Sequence, residues 1–342
     1  MRACAAVLAG LLGLAGAPDF RHPASGVRSE PDILASVAAL PPHLIDQLTE
    51  PIGFVQASTG EYLVLDRRQH TVYGIDASRE RMRRVVQIGR ETGEVLRPAA
   101  IAIGPDDHFA VADAPAGRER VQIFDLAGTV TGGFYLARPS GNRLVIRDLV
   151  LNGIGAMAFT GTTFLISQPE SEALFSEFTP RAAVLRNVGV PRATGFESDR
   201  DLHWSLNVGI PVIDPTGGFF FVFQTGLPMF RKYDANGALV FERHIEGVEL
   251  DGAIGALPTT WPARQPGTHP VVTSLVRAAA ADAAGRLWIS LTLPYTYVYD
   301  ARGEKVRTVQ FRGAGIMSPT SLFFTRSGRL LTGPGGYLFE GR

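Results

Sequence analysis

Short apolar runs recur along the chain, and turns rich in Asp, Gly and Pro separate them. Runs such as Tyr62-Leu63-Val64-Leu65, Phe219 to Phe223 and Leu287-Trp288-Ile289 are too short for helices and are rich in aromatic and branched side chains. The pattern therefore predicts β-strands along most of the chain and no substantial helix.

Two kinds of turn alternate between these strands. The first is represented by Asp214-Pro215-Thr216-Gly217 and Asp282-Ala283-Ala284-Gly285, and the second by Asp125-Leu126-Ala127-Gly128. Such sequences suit hairpins, because Asp accepts hydrogen bonds within its own turn and Gly adopts positive φ without strain. The two turns recur in step and define six units, which open near Pro51, Pro98, Asn152, Val208, Val276 and Pro319.

Repeated four-stranded sheets with a period of about 40 to 50 residues are typical of a β-propeller. The units therefore predict an all-β, six-bladed β-propeller that forms one domain over residues 32–342. The last unit, from Pro319 to Arg342, has room for three strands at most, so its outer strand must come from elsewhere. The segment from Asp32 to Leu40 is the candidate, and it would close the ring by joining the two ends of the chain.

The second unit resembles the NHL repeat. It has Pro98 before an apolar strand, a strand from Phe109 that ends in Ala112-Asp113, and a strand that ends in Phe124-Asp125 before Gly128. The resemblance spans about residues 51 to 340, although Gln replaces the Asp in the third and fourth units. It implies a propeller fold and says almost nothing about function.

Propellers of similar architecture include metal-dependent lactonases and esterases, strictosidine-synthase-like enzymes and the peptide-amidating lyase. A divalent cation on the axis needs several converging oxygen or imidazole ligands. The predicted inner strands contain no acidic residue and no histidine; they are 52–56, 99–103, 153–159, 209–213, 277–281 and 320–324. The sequence therefore predicts no axial metal and no cofactor, and leaves open a metal site on the rim loops, held by Asp66, Asp113 and Asn152.

Ligand contacts on a propeller usually come from the loops at one face. The residues placed there by the sequence are Asp66, Arg67, Arg97, Asp113, Asn152, Gln168, Trp204, Asn207, Gln224 and Arg277. Arg277 is the only charge on a predicted inner strand, where a guanidinium could clamp a carboxylate or phosphate. The alternative for this residue is an internal ion pair with Glu249 or Asp251.

Other side chains in the loops carry weaker signals. Trp204 and Trp261 lie in the two longest loops, where they would either cap the channel mouth or be buried under the loop itself. Five of the seven histidines follow the predicted signal peptide and the first predicted elements, share no ligand spacing and are assigned to loops or the surface; they are His70, His108, His203, His244 and His269.

Composition narrows the choice of partner. The 33 basic and 33 acidic residues leave no net charge, so neither a nucleic-acid footprint nor a polybasic membrane patch is indicated. The sequence therefore favours a non-enzymatic binding or scaffold module for a protein, peptide or glycan. The alternative is a metal-dependent hydrolase or lyase of the lactonase and strictosidine-synthase kind.

The first residues predict export. Arg2 precedes an apolar run from Ala3 to Leu14 and a group of small residues, which is the pattern of a signal peptide over residues 1–17. The run is shorter than the roughly 20 residues needed to span a bilayer, so the mature chain is expected to have no integral membrane segment. A flexible segment at 18–31 would follow, and the protein would be secreted or periplasmic.

Overall fold

The computed structural model describes residues 30–136, 143–146, 149–152, 154–168, 172–261 and 268–341. The predicted signal peptide and nearly all of the predicted flexible segment therefore lie outside the described residues. Within those ranges the chain folds mainly as β-strands. None of the helices in the described ranges has the length and apolar character needed to cross a membrane.

The first elements and the first two blades follow one another along the chain. The chain begins with β1 (Asp32–Ala35), β2 (Ala38–Ala39) and the helix α1 (Pro42–Ile45). Blade 1 consists of β3 (Pro51–Gln56), β4 (Tyr62–Asp66), β5 (Thr71–Ile75) and β6 (Met82–Ile88), with the short β7 (Glu94–Val95) parallel to β6. Blade 2 consists of β8 (Ala100–Ile103), β9 (Phe109–Asp113), β10 (Arg120–Phe124) and β11 (Val130–Tyr135).

Two short strands, β12 (Arg143–Ile146) and β13 (Leu149–Asn152), precede the third blade. Blade 3 consists of β14 (Ala156–Phe159), β15 (Phe164–Ser167), β16 (Phe175–Phe178) and β17 (Val184–Val188). The helix α2 (Arg200–Ser205) leads to the fourth blade. Blade 4 consists of β18 (Gly209–Ile213), β19 (Phe219–Phe223), β20 (Met229–Tyr233) and β21 (Leu239–His244).

The helix α3 (Asp251–Gly255) and the strand β22 (Val271–Val272) precede the fifth blade. Blade 5 consists of β23 (Val276–Ala281), β24 (Leu287–Leu291), β25 (Thr296–Tyr299) and β26 (Lys305–Arg312), and β27 (Ile316–Met317) pairs with β26. Blade 6 has three strands from the end of the chain, namely β28 (Ser321–Phe324), β29 (Arg329–Gly333) and β30 (Tyr337–Glu340).

The N-terminal segment closes the ring, as the sequence predicts. Strand β2 pairs antiparallel with β30 and becomes the outer strand of blade 6, while β1 pairs parallel with β26 at the edge of blade 5. Each inner strand also contacts the inner strand of the next blade, in the order β3, β8, β14, β18, β23, β28 and back to β3. These contacts confirm an all-β, six-bladed propeller.

Burial explains why the second strands of blades 1, 2, 4 and 5 are almost continuously apolar. All residues of β4, β9, β19 and β24 are buried, because both faces of each blade pack against neighbouring blades. The outer strands instead have many exposed positions, as in β21.

The predicted hairpin turns are present and also fit neighbouring blades together. Asp282 accepts hydrogen bonds from the backbone N–H groups of Ala284 and Arg286, at 3.0 and 2.9 Å. Gly285 has φ of +74°, and a side chain there would lie 2.8 Å from the Thr216 hydroxyl of blade 4. The glycine is therefore required both by the turn and by the close approach of two blades.

A small additional sheet and a helix lie on the face where the inner strands begin. Strand β12 pairs antiparallel with β13 and parallel with β22, which joins the linker before blade 3 to the linker before blade 5. Helix α2, in the linker before blade 4, contacts β12. We call these four elements the cap. The innermost strand of blade 3 accordingly begins at Ala156, and Asn152 belongs to the cap sheet.

Replacing Leu40 tests the closure of the ring. Leu40 is 3% exposed and packs in a cluster with side chains of blades 1 and 6, so Leu40→Ala should lower the free energy of unfolding by about 2–5 kcal/mol. Val37, in the same segment but 51% exposed, provides the control, since Val37→Ala should cost less than about 0.5 kcal/mol. Urea denaturation measures both; equal losses would contradict a packed closing segment.

Candidate functional site

The ring encloses a central channel with a volume of about 980 Å³. Its wall is formed by the inner strands of all six blades, whose side chains are mainly Ala, Ile, Val and Phe. Arg277 is the only charged residue on these strands. The channel wall itself therefore provides little charge, and charged chemistry is confined to the end where the strands begin.

That end is rich in cations. The charged, imidazole and amide side chains that line the channel there form what we call the mouth; they are Glu50, Arg67, His70, Arg97, Gln224 and Arg277. Glu50 is the only carboxylate among the lining residues, and it accepts a 3.0 Å hydrogen bond from Nε of Arg67. Among the described residues, the mouth thus contains three guanidinium groups and one carboxylate, and this carboxylate is paired with Arg67.

Asp66 lies behind the mouth and holds its backbone in place. The residue is fully buried at the end of β4. Its Oδ2 accepts hydrogen bonds from the N–H groups of Thr49 and Glu50 at 2.5 and 3.1 Å, and its Oδ1 accepts one from the N–H of Gln69 at 2.9 Å. This carboxylate therefore joins the segment that carries Glu50 to the loop that carries Arg67 and His70.

Asp113 performs the same task in blade 2. It is 2% exposed at the end of β9, and its two oxygens accept bonds from Nε and Nη2 of Arg120 at 2.9 and 2.7 Å. Oδ2 also accepts a 3.0 Å bond from the N–H of Leu96, directly before Arg97. The Asp that closes the second strand thus fixes the linker into the same blade, which gives this position of the repeat a physical role.

His70 is tied to Arg97 by a hydrogen bond. Its Nδ1 accepts from the backbone N–H of Arg97 at 2.7 Å, so the neutral ring carries its hydrogen on Nε2. Burial lowers the pKa of the imidazole below its ordinary value of 6.5, and the Arg97 charge lowers this pKa further, against the opposite effect of Asp66. At neutral pH His70 is therefore an uncharged hydrogen-bond donor.

Arg277 lies in a β-bulge near the start of β23. The register between β23 and β24 shifts between Val276 and Ala278, and such a bulge can re-aim the side chain it carries. Gln224 lies close to the start of the same strand, because its carbonyl accepts a 3.2 Å bond from the N–H of Leu275. Of the two carboxylates considered as partners of Arg277, Glu249 accepts a bond from the Tyr297 hydroxyl at 2.7 Å.

Asn207 supports the linker that contains α2. Its Oδ1 accepts from the N–H of Arg192 at 2.8 Å, and its Nδ2 donates to the carbonyls of Arg192 and His203 at 3.2 and 2.9 Å. All of these contacts are internal to the linker. The residue is 8% exposed and is not part of the channel lining.

Trp204 and Gln168 also lie away from the channel lining. Trp204 is half-buried on α2, with the guanidinium carbon of Arg200 4.0 Å from its ring centroid. Gln168 donates to Glu119 at 3.4 Å. Asn152 ends β13, and only its backbone is described. Of the residues that the sequence placed on the loop face, the structure thus brings together Arg67, Arg97, Gln224 and Arg277.

Sequence reasoning assigned no role to His70 or Glu50. The position of His70 in the loop after Asp66, three residues beyond Arg67, could have suggested that it shares the mouth with that arginine. No sequence pattern indicates the hydrogen bond that His70 accepts from the backbone N–H of Arg97.

A separate cleft of about 1200 Å³ lies against the outer strands of blade 4, between the linkers before and after this blade, and is lined mainly by apolar side chains. Trp261 lines it and packs edge-on against Phe196, with ring centroids 5.0 Å apart. Arg192 at its edge donates to the carbonyls of Leu206 and Thr225 at 2.9 and 2.5 Å. Trp261 is therefore placed at this cleft and not at the channel mouth.

The donor set of the described ranges does not fit a bound metal. No three His, Cys, Asp or Glu side chains come together anywhere in those ranges. Asp66 and Asp113, which a rim site would need, have oxygens that already accept backbone or guanidinium bonds. We therefore derive no reaction step that uses a metal ion from the described residues.

No family model matches the chain, and no curated protein is detectably similar to it. Solved structures with the same fold include a streptogramin B lyase, at 9% identity and TM-score 0.51, covering 84% of this chain and 92% of that one. A virginiamycin B lyase from Staphylococcus aureus has 10% identity and TM-score 0.51, with 84% and 78% covered. A gluconolactonase from Xanthomonas campestris has 14% identity and TM-score 0.51, with 93% and 96% covered.

These likenesses confirm the six-bladed propeller and connect its fold with lyase and lactonase propellers. At such low identity they concern the fold alone. The NHL repeat in particular stays a prediction.

Removing the charge of Asp113 tests whether this residue stabilises the fold by pairing with Arg120 and holding the linker. Asp113→Asn leaves the guanidinium of Arg120, 3% exposed, without its counter-charge, so the free energy of unfolding should fall by about 3–5 kcal/mol. Asp106→Asn is the matched control, because Asp106 pairs with His108 on the surface and should matter little. Chemical denaturation distinguishes the two; a stable Asp113→Asn protein would contradict the assignment.

Proposed function

We propose that this propeller is a non-enzymatic binding module that recognises a carboxylate-bearing peptide or glycan at the mouth of its channel. One observation carries the proposal: in the part of the chain that the structure describes, three guanidinium groups and one imidazole line a single cavity together with one carboxylate, which Arg67 already pairs. Arginine binds carboxylates through two parallel hydrogen bonds, which makes it well suited to this chemistry.

Preorganisation supports the same function. Asp66 and Asp113 hold the two backbone segments that carry Arg67 and Arg97, so these two cations do not have to be gathered when a ligand arrives. The state of His70 favours binding over proton abstraction, because its Nδ1 lone pair is engaged by Arg97 and its Nε2 carries a hydrogen. In this arrangement the imidazole can donate to a ligand but has no lone pair available as a general base.

Replacing Arg277 tests ligand recognition. Trigalacturonate represents an acidic glycan, tetraglutamate an acidic peptide, and maltotriose a neutral glycan. We expect calorimetry to detect binding of at least one acidic probe and not of maltotriose. Arg277→Gln should weaken that binding about ten- to hundredfold, since it removes a charge-assisted hydrogen bond.

Arg302→Gln is the matched control, because this substitution removes the same charge from the protein at a side chain that is 85% exposed on a hairpin turn. It should leave the affinity unchanged. Equal losses in the two variants would mean that net charge, and not the mouth, attracts the probes. No binding of either acidic probe would contradict the proposed function.

A metal-dependent hydrolase or lyase is the second candidate, and the likeness in fold to lyases and a gluconolactonase supports it. Thermal unfolding with calcium, with zinc and with a chelator separates the candidates. The binding module predicts the same melting temperature in all three, because the described residues offer no cluster of metal ligands. A melting temperature that rises with one metal and falls with the chelator would favour the enzyme.

A further inference from the structure

The tie between His70 and Arg97 joins two segments that are otherwise separate. His70 lies in the loop between β4 and β5, and Arg97 lies in the linker from blade 1 to blade 2. The φ angles are +51° for His70 and +57° for Arg97, values that residues other than glycine seldom adopt. Gln69 and Leu96, the preceding residues, are bound to Asp66 and Asp113. The strained pair is therefore held between two fixed points at the edge of the channel.

Protonation of His70 is incompatible with this tie. The bond from the Arg97 N–H requires the lone pair on Nδ1, and a proton at that atom would place two donors face to face. The bond must then break. The imidazolium would add a positive charge to the mouth, and the N–H of Arg97 would become available to an acceptor.

The surrounding charges influence the pH at which His70 takes up this proton. In the free protein Arg97 opposes the charged imidazole and Asp66 favours it, while Arg67 and Glu50 line the same cavity as an ion pair. A carboxylate bound at the mouth adds negative charge close to His70, and a nearby opposite charge favours the protonated ring. The ligand also offers an acceptor for the released N–H group.

We infer that binding of a carboxylate at the mouth is coupled to the uptake of one proton from solvent onto Nδ1 of His70. The inference rests on the proposed function and adds that the pH regulates the affinity for the ligand. Because the bound state holds more protons than the free state, linkage requires the affinity to increase as the pH falls. The arginines alone would give no such dependence, since they stay charged throughout this range.

Calorimetry of trigalacturonate or tetraglutamate, whichever binds more tightly, tests the coupling between about pH 6 and 7, where the carboxylates of both probes stay ionised and the α-amino group of tetraglutamate stays largely protonated. Titrations in two non-anionic buffers of different ionisation enthalpy give the number of protons taken up. The wild-type protein should take up a fraction of a proton that approaches one, and its affinity should rise by up to about tenfold per pH unit as the pH falls.

His70→Asn should abolish both effects while still binding the probe, because the asparagine Oδ1 occupies the position of Nδ1 and can accept from the Arg97 N–H, asparagine tolerates a positive φ, and Arg277 is unchanged. His108→Asn is the control, since His108 lies in the turn between β8 and β9, at the other end of blade 2 from Arg97, and should behave as wild type. Binding without proton uptake in the wild type, or equal uptake in His70→Asn, would overturn the inference and leave the proposed function standing. No binding at any pH would instead remove the proposed function.

Discussion

The pairing of β2 with β30 is the constraint on which the rest of the molecule depends. A propeller blade cannot bury both of its faces alone, so each sheet is stable only between two neighbours. Blade 6 has three strands of its own and receives its fourth from the other end of the chain. This pairing completes the ring, the ring brings six inner strands together, and only then does a channel with a defined mouth exist.

Two buried carboxylates connect the fold with the chemistry of the mouth. Asp66 and Asp113 occupy the same position in successive blades, at the end of the second strand, and each accepts N–H groups from the linker that enters its own blade. The negative charge of these residues is directed into the scaffold. Arg67 directly follows Asp66, and Arg97 directly follows the Leu96 that Asp113 binds, so both cations are left at the channel. The same repeat that builds the blades therefore also places Arg67, His70 and Arg97.

The fold was largely predictable from the sequence, because a hairpin turn such as Asp282 to Gly285 and an apolar run such as Phe219 to Phe223 are local signals. The cap was not, since the pairing of Val145 with Val271 joins distant segments that leave no local pattern. The candidate site was predictable only in part. Asp113 has the residue type and the loop position of a metal ligand, and only the atoms it contacts identify it as a support for the backbone.

The cap also removes the near sixfold symmetry of the ring. Its elements belong to the linkers before blades 3, 4 and 5, whereas Arg67, His70 and Arg97 belong to blade 1 and the linker that follows it. Among the described residues, the cap thus covers the side of blades 3 to 5, while two of the three guanidinium groups of the mouth, those of Arg67 and Arg97, lie on the side of blades 1 and 2. A chain-like ligand of the proposed kind would therefore meet one preferred direction of approach, with its acidic end toward blade 1 and its remainder leading away from the cap.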